Sequence, residues 1–356
     1  MLLIAMLLSF TAVASLTAFI VMMAAKFGLL DTPVARSAHQ HPKPLGGGIA
    51  LSVPFFFTAI FWMLAGDAID MWPAFASCLF VLIVGFVDDA RSLSLRARLP
   101  LHFLAAAMAV AVYKPSVIEL GFWNISNPFL LSLLATLSLV WLVNLTNFMD
   151  GIDGLAAVQL LFVALGCAVL LLYSEGNASL NMSQDAKRFV ILLSVVLAGS
   201  ALGFLLWNWA PSRLFMGDSG SGFIGFALGL LALETITVNS LTLWSWLLLM
   251  GVFIVDTGVT LATRVLNGSR WYEGHSQHAY QILSRALGSH ARVVLRVLLI
   301  DIFWLLPLAW LAGSFPQLGV VFAIIGLLPL SVYAVYLGAG RLEHDNQGSD
   351  RCELQS

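Results

Sequence analysis

Apolar runs of about 20 residues recur from one end of the chain to the other, separated by short polar segments. Each run is long enough to cross the ~30 Å hydrocarbon core of a membrane as an α-helix. The runs are continuous rather than alternating in polarity, which excludes a transmembrane β-barrel. The pattern predicts an all-α, polytopic integral membrane protein with about eleven transmembrane helices, placed at 2–24, 46–65, 70–87, 99–113, 129–146, 154–173, 189–207, 220–236, 242–263, 294–313 and 316–338.

Composition argues against a separate soluble domain. The 356 residues are 60% hydrophobic and only 10% charged, whereas a soluble protein carries about 25% charged residues. We expect residues 1–340 to form a single transmembrane domain with functional loops, and 341–356 to form a polar cytoplasmic tail. No basic residue precedes the first apolar run and no cleavage site is obvious after it, so we expect it to be retained as a helix.

Basic residues set the predicted orientation. Loops that follow odd-numbered spans hold 14 of the 17 lysines and arginines, and the opposite side holds Lys114, Lys187 and Arg188. The positive-inside rule then puts the N-terminus in the periplasm and the C-terminus in the cytoplasm. Five polar clusters fall on the cytoplasmic side, at 31–48, 88–98, 147–154, 208–219 and 264–292. We therefore predict one cytoplasmic site built from five loops.

Adjacent acids close the third span. Asp88 and Asp89 follow an apolar run, where the negative end of the helix dipole disfavours them and where they repel each other without a cation. Metal binding or general-base chemistry would account for the pair. The alternative is that nearby arginines, such as Arg91, Arg96 and Arg98, neutralise it.

Three oxygen-bearing side chains follow the fifth span at intervals of three residues. They are Asn147, Asp150 and Asp153, and Gly151 and Gly154 lie between and after them. If the helix continues to Asp153, the three side chains line one face of it. A helix cap would need one acid rather than two acids and an amide, so we interpret the stretch as part of a binding site.

Two further clusters favour anion binding. Asp218 precedes the eighth span, where it either caps the helix or belongs to an anion site at its N-terminus. Phe215 is placed to stack on a ring, and Lys43 lies beside a glycine-rich backbone suited to phosphate. The alternative for Lys43 is ordinary positive-inside loop chemistry.

Acids and histidines also occur later in the chain. His275 and His278 lack further local metal ligands, so we expect them to contact phosphate. Asp256 and Asp301 lie inside predicted spans, but neither has a surrounding motif.

Taken together, these motifs resemble the polyprenyl-phosphate N-acetylhexosamine-1-phosphate transferases. This glycosyltransferase family 4 group includes O-antigen initiating enzymes and the phospho-N-acetylmuramoyl-pentapeptide translocase. The matching motifs are Asp-Asp at 88–89, Asn147-x-x-Asp150-Gly-x-Asp153-Gly-Leu and Phe215-Met-Gly-Asp218-Ser-Gly-Ser. Pro44 with its glycines and the late histidine loop also match, and the motifs keep the order and spacing of the family over most of the chain.

The resemblance implies an enzyme of the bacterial inner membrane, with its transferase domain at 1–340 and its active site on the cytoplasmic face. It would transfer a sugar-1-phosphate from a UDP-N-acetylhexosamine to undecaprenyl phosphate and release UMP. The implied cofactor is Mg²⁺, which Mn²⁺ could replace. The implied partners are the two substrates and the lipid bilayer, without nucleic acid, and a homodimer is left open.

The resemblance also implies residue roles. Asp218 would be the main metal ligand, and Asp88 and Asp89 would help to bind metal or lipid phosphate, with Asp88 a candidate base. Asn208 and Phe215 would hold uracil. The full set of implied substrate-binding residues is Lys43, Asn147, Asp150, Asp153, Asn208, Phe215, His275 and His278.

The histidine loop departs from the family pattern. The usual cluster of several histidines is reduced here to His275-Ser-Gln-His278. Members with a reduced cluster resemble enzymes that take 6-deoxy sugars, such as N-acetylfucosamine or N-acetylquinovosamine, for O-antigen and lipopolysaccharide synthesis. UDP-N-acetylglucosamine, used for another cell-envelope polymer, is the alternative donor.

Two other classes compete with this interpretation. A secondary transporter would show internal repeats and acids at mid-bilayer, whereas here no repeat is visible and the acids crowd at one surface. A lipid-phosphate phosphatase would need a nucleophile with a basic partner, but no nucleotide site.

Overall fold

The computed structural model describes residues 1–27, 30–31, 42–65, 69–173, 183–269 and 275–341. About 80% of the described residues are helical, which confirms the all-α prediction. The helices are α1 (Leu2–Phe27), α2 (Gly47–Leu64), α3 (Trp72–Arg91), α4 (Leu95–Tyr113), α5 (Pro128–Met149), α6 (Leu155–Tyr173), α7 (Gln184–Asn208), α8 (Gly217–Thr237), α9 (Leu243–Leu249), α10 (Gly251–Leu266), α11 (Ala279–Leu287), α12 (His290–Ile300), α13 (Leu306–Ser314) and α14 (Gly319–Tyr336).

Short irregular elements connect these helices. A π-helical turn, Asp301–Leu305, joins α12 to α13, and 3₁₀ turns occupy Ile69–Met71 and Pro316–Leu318. The strands form two antiparallel pairs: β1 (Leu30–Asp31) with β2 (Lys43–Pro44), and β3 (Ile118–Glu119) with β4 (Asn124–Ile125). The predicted tail, apart from Arg341, lies outside the described residues, as do 32–41 and 270–274 of the predicted polar clusters.

The predicted number of spans is confirmed. In the described part of the chain, ten helices are long and apolar enough to cross a membrane, with α12 and α13 counted as one, and the α9–α10 pair raises the number to eleven. That pair bends by 78°, so the prediction of one continuous helix at 242–263 is wrong. At the break, Gln159 Nε2 donates to the Leu249 carbonyl at 3.0 Å, which replaces a bond that a continuous helix would supply.

Helices α6, α7 and α8 form the centre of the bundle. In each, 78% of the most apolar 18-residue window is buried, against 17% in α1 and 22% in α14. Close approach of α5 to α8 depends on Gly225, because a Cβ there would collide with the Leu142 carbonyl and the Thr146 hydroxyl. Thr146 Oγ1 also donates to the Ser221 carbonyl at 2.7 Å. This packing sets the end of α5 beside the start of α8.

Helix α5 ends at Met149 rather than continuing to Asp153. Asp150 leaves the helical region, with φ −87° and ψ 35°, and Gly154 adopts φ 82°, a conformation that favours glycine. Asn147 and Asp153 therefore do not share a helix face, and the arrangement that depended on a continuous helix is wrong. The turn 150–154 instead presents its side chains to two different neighbourhoods.

Candidate active site

An acidic cluster gathers where α3 and α5 end and α8 begins. It consists of Asp88, Asp89, Asp150 and Asp218, together with the Asn147 amide. Asn147 Nδ2 donates to Asp218 Oδ1 and lies 3.2 Å from Ser221 Oγ. The structure thus brings together residues that the sequence separates by 130 positions, as the prediction of a single site requires.

Arg98 joins two of these carboxylates. Its Nη1 atom lies 2.5 Å from Asp88 Oδ2 and 3.1 Å from Asp218 Oδ2. The Asp88 side chain is only 5% exposed, whereas that of Asp218 is 35% exposed. Asp218 is therefore the carboxylate of this pair that an incoming ligand reaches more easily.

Asp89 caps helix α8 from the neighbouring helix α3. Its Oδ1 accepts from the Asp218 N–H at 2.6 Å, and its Oδ2 accepts from the Ser219 N–H at 3.1 Å and the Ser219 hydroxyl at 2.7 Å. These are the unpaired donors of a helix N-terminus, where a carboxylate is favourable. Asp89 thus positions Asp218, and its predicted direct contact with metal stays a prediction.

Asp88 also has a local structural partner. Its Oδ1 accepts from the Leu93 N–H at 2.6 Å, which closes the turn between α3 and α4. Together with Arg98, this contact explains how an acid is accommodated at a helix C-terminus. The alternative considered from sequence, neutralisation by a nearby arginine, describes Asp88 well.

Asp150 lies close to three other acidic residues. Burial raises the pKa of its carboxyl well above the usual range, and the charges of Asp218, Asp89 and Asp153 raise it further. Its side chain accepts no hydrogen bond from the described residues. The site therefore holds a carboxyl group that favours a proton or an added cation.

A second group of side chains, which we call the basic–aromatic patch, lies on the other side of the turn 150–154. It consists of Lys43, Asp153, Ser212, Phe215 and His290. Lys43 Nζ lies 3.0 Å from Ser212 Oγ and 4.8 Å from the centroid of the Phe215 ring. A cation above an aromatic face next to a hydroxyl suits a phosphate beside a flat base.

Asp153 is the anionic member of this patch. Its carboxylate accepts from the Ser212 hydroxyl at 2.7 Å and from the Ser212 N–H at 3.0 Å. Burial tends to raise its pKa, but hydrogen bonds from His290 and Ser212 and the charge of Lys43 outweigh burial and lower the pKa to about 2. Asp153 is therefore ionised at neutral pH.

Asn208 is buried, and its side chain joins two backbone segments. It is 3% exposed. Its Oδ1 accepts from the Gly154 N–H and its Nδ2 donates to the Leu214 carbonyl, both at 3.0 Å. It therefore ties the turn 150–154 to the loop that carries Phe215. Its predicted contact with uracil stays a prediction, and these bonds support an indirect role.

The two histidines of the last loop stack against the end of α5. The His275 and His278 ring centroids are 4.9 Å apart, and the His278 centroid is 6.0 Å from that of Phe148. Tyr280 extends the stack and donates its hydroxyl to the Phe148 carbonyl at 2.9 Å. Burial, with the charges of His278 and Arg264, lowers the pKa of His275 to about 4. His275 is thus neutral at pH 7.

Asp256 fixes the position of residues 278–280, where α11 begins. Its Oδ1 lies 3.0 Å from His278 Nδ1 and accepts from the Ala279 N–H at 3.0 Å, while its Oδ2 accepts from the Tyr280 N–H at 2.8 Å. The acid therefore caps α11 from within α10. Asp301, by contrast, is fully buried and has no hydrogen-bond partner among the described residues.

The structure adds residues that the sequence-based list of site residues lacks. They are Arg98, Ser212, Asp256, Tyr280 and His290. Asp256 could have been recognised in the sequence as an acid inside an apolar span. Arg98 could have been recognised as a cation close to the acidic pair Asp88 and Asp89. Ser212 and His290 gave no signal, because their contact with Asp153 depends on helix packing across the bundle.

The fold and the site together define a multi-pass helical membrane protein with an acidic cluster and a basic–aromatic patch at one end of the bundle. The family model described as glycosyl transferase family 4 matches residues 71–236, the segment that carries the whole acidic cluster. The predicted family resemblance is confirmed, with a match that spans a little under half of the chain.

Individual relatives agree with that assignment. The chain is 28% identical over 312 residues to a probable undecaprenyl-phosphate N-acetylglucosaminyl 1-phosphate transferase of Bacillus subtilis, covering 83% of this chain and 81% of the relative. It is 28% identical over 318 residues to a decaprenyl-phosphate N-acetylglucosaminephosphotransferase of Mycolicibacterium smegmatis, covering 80% and 75%. It is 36% identical over 190 residues to a phospho-N-acetylmuramoyl-pentapeptide-transferase of Moorella thermoacetica, covering 49% and 55%.

Proposed function

We propose that this chain transfers a sugar-1-phosphate from a UDP-N-acetylhexosamine to undecaprenyl phosphate. The observation that carries the proposal is the placement of the acidic cluster and the basic–aromatic patch on two sides of one turn, 150–154. One side suits a metal-bound phosphate, and the other suits a phosphate next to a planar base. The names of the relatives, which act on polyprenyl phosphates, support the same reaction.

The proposed reaction exchanges one phosphorus–oxygen bond for another. A phosphate oxygen of the lipid attacks the phosphorus atom that carries the sugar. The bond from that phosphorus to the bridging oxygen breaks, and the electron pair leaves with UMP. Because the attacking phosphate is already largely ionised at neutral pH, no strong base is required. Catalysis of this kind consists mainly of positioning and charge stabilisation.

The basic–aromatic patch is the proposed donor side. Lys43 would offset phosphate charge, and Phe215 would stack on uracil from the position it already holds against Lys43. Asp153, kept ionised by its neighbours, would accept a hydrogen bond from an N–H or O–H group of the nucleotide. His275 and His278 would contact the donor from the last loop.

The acidic cluster is the proposed place for Mg²⁺. No three acidic, histidine or cysteine side chains among the described residues form a group that could hold a metal ion. Mg²⁺ is usually held by one or two carboxylates together with water and substrate phosphates, so the cluster fits it. Asp218, the more exposed carboxylate, would be the main ligand, and Mn²⁺ could replace Mg²⁺. When bound, the ion would neutralise phosphate charge.

The sugar is the finer part of the proposal. The reduction of the usual histidine cluster to His275-Ser-Gln-His278 favours a 6-deoxy-N-acetylhexosamine such as N-acetylfucosamine or N-acetylquinovosamine, with a product that starts O-antigen synthesis. The alternative is UDP-N-acetylglucosamine for another envelope polymer, which the names of two relatives favour. A panel of UDP-N-acetylhexosamines decides between them, since the preferred donor should give the highest kcat/KM.

The proposed location is the bacterial inner membrane, with the site on the cytoplasmic face. The excess of basic residues in loops at the same end as the site supports this orientation. A maleimide label on Arg341→Cys should react only after the membrane is permeabilised. Reaction in intact spheroplasts would contradict the orientation.

The assay that tests the reaction uses purified protein, Mg²⁺, a sugar-labelled UDP-sugar and undecaprenyl phosphate. The label should move into the organic phase only when the lipid phosphate is present. Movement of lipid or sugar across a vesicle without a new product would favour a transporter. Release of inorganic phosphate from the lipid would favour a phosphatase.

A further inference from the structure

His290 approaches Asp153 from a separate part of the chain. Its Nδ1 atom accepts from the Asp153 N–H at 3.3 Å when Nδ1 carries no proton, and donates to Asp153 Oδ2, also at 3.3 Å, when it carries one. His290 is the first residue of α12, and its side chain is 25% exposed. Asp153 thereby lies at the N-terminus of a helix, which favours its negative charge.

The contacts of Asp153 divide between its two oxygen atoms. Oδ1 takes the Ser212 hydroxyl, while Oδ2 takes the Ser212 N–H and faces His290. Ser212 in turn bonds Lys43, so one side of the carboxylate is tied to the loop that carries the basic–aromatic patch. His290 adds a contact from a separate element, because its helix packs on α6.

We infer that His290 is a positioning residue for the nucleotide half of the donor, acting through Asp153. This inference rests on the proposed function and deepens it. Contacts from Ser212 to both oxygen atoms and from His290 to Oδ2 keep the Asp153 carboxylate in one orientation. Asp153 is then already ordered before the ligand binds, so binding does not include the entropic cost of ordering this side chain. A carboxylate held by Ser212 alone would be fixed less firmly, and the nucleotide would bind less tightly.

A purely structural role makes a different prediction. If His290 only fastened α12 to the turn 150–154, its removal would lower thermal stability and turnover without selecting between substrates. If it positions Asp153, its removal raises the KM for the UDP-sugar and leaves the KM for the lipid phosphate unchanged. The split between the two KM values therefore separates the two roles.

Two substitutions test which ring nitrogen matters. In His290→Asn the amide can reach the position of Nδ1, and in His290→Gln it reaches that of Nε2. We expect His290→Gln to raise the donor KM about tenfold, the fold-change that corresponds to loss of one hydrogen bond to a charged group, and His290→Asn to restore most of it. Arg292→Gln, an exposed position on the same turn, is the matched control and should stay within twofold of the unchanged protein.

A double-substitution cycle tests the route through Asp153. In an Asp153→Asn background, His290→Gln should have no further effect on the affinity for UMP, measured by titration calorimetry. An additional tenfold loss in that background, or equal donor KM values for His290→Gln and the unchanged protein, would overturn the inference.

Different results would contradict the proposed transferase function and the proposed role of His290. If the unchanged protein transfers no sugar-1-phosphate from any donor of the panel, the proposed function fails. The UMP titration then still tests His290. If transfer proceeds and His290→Gln lowers only kcat, the inference fails while the proposed function stands.

Discussion

Replacing Asp256 by asparagine tests whether one buried carboxylate holds α11 and the histidine pair in place. The carboxylate accepts from the Ala279 and Tyr280 N–H groups, faces His278 Nδ1, and accepts from the Thr260 hydroxyl at 3.2 Å. Asparagine keeps one acceptor oxygen, but its NH₂ group must face a donor. We expect the variant to fold less stably and to lose the fixed position of His278.

The size of this effect follows from the lost contacts. If the amide keeps its oxygen toward His278 and Ala279, the buried N–H of Tyr280 is unsatisfied, which costs about 1–3 kcal/mol. Loss of the charge weakens the remaining bonds and the interaction with the α11 dipole, which adds about 1 kcal/mol. The sum is roughly 2–4 kcal/mol. At about 2 °C per kcal/mol for a chain of this size, the apparent Tm falls by roughly 4–8 °C.

The chain offers a matched control for this experiment. Asp301 is also a buried acid inside a membrane span, but it has no hydrogen-bond partner among the described residues. Asp301→Asn removes no hydrogen bond, so it should shift the Tm less than Asp256→Asn does. Tryptophan fluorescence of detergent-purified protein during slow heating measures both shifts. Equal shifts for the two variants, or no shift for Asp256→Asn, would refute the reasoning.

Three further changes test other parts of the site. Asp218→Asn should abolish turnover and leave the Tm within a few degrees; retained turnover would contradict its role at the metal. Gly151→Ala places a Cβ against the Tyr280 hydroxyl and should raise the donor KM, whereas Gly258→Ala, with open space around it, should not. The pKa of Asp153 is lowered to about 2, so its contribution to stability is present above about pH 4 and is lost as pH falls toward 2; a Tm difference from Asp153→Asn that persists at pH 2 would contradict this.

Hydropathy was sufficient to predict the spans, because the need for apolar residues in a bilayer leaves a strong signal in the sequence. It did not predict the break at Met250. A tertiary contact, from Gln159 to the Leu249 carbonyl, accompanies that break, and no proline marks it in the sequence. The conditional extension of α5 to Asp153 was wrong, because the chain turns at 150–154, where Gly154 has a positive φ.

The residues of the site, too, were predicted only in part from the sequence. Charge bias and motif order predicted that Asp88, Asn147 and Asp218 would meet at one end of the bundle. They did not predict that Asp89 would cap α8, because that bond joins residues 129 and 130 positions apart. His290 was missed for the same reason, since its partner Asp153 is known only once α12 is packed against α6.

We propose that one catalytic event joins the sugar phosphate to the lipid and releases UMP. The most direct test of this proposal is a single reaction with Mg²⁺, undecaprenyl phosphate and a UDP-sugar labelled with different isotopes in uracil and in sugar. UMP and sugar-labelled lipid should appear in equal molar amounts and at the same rate. Release of UDP, or UMP formation that continues without the lipid phosphate, would contradict it.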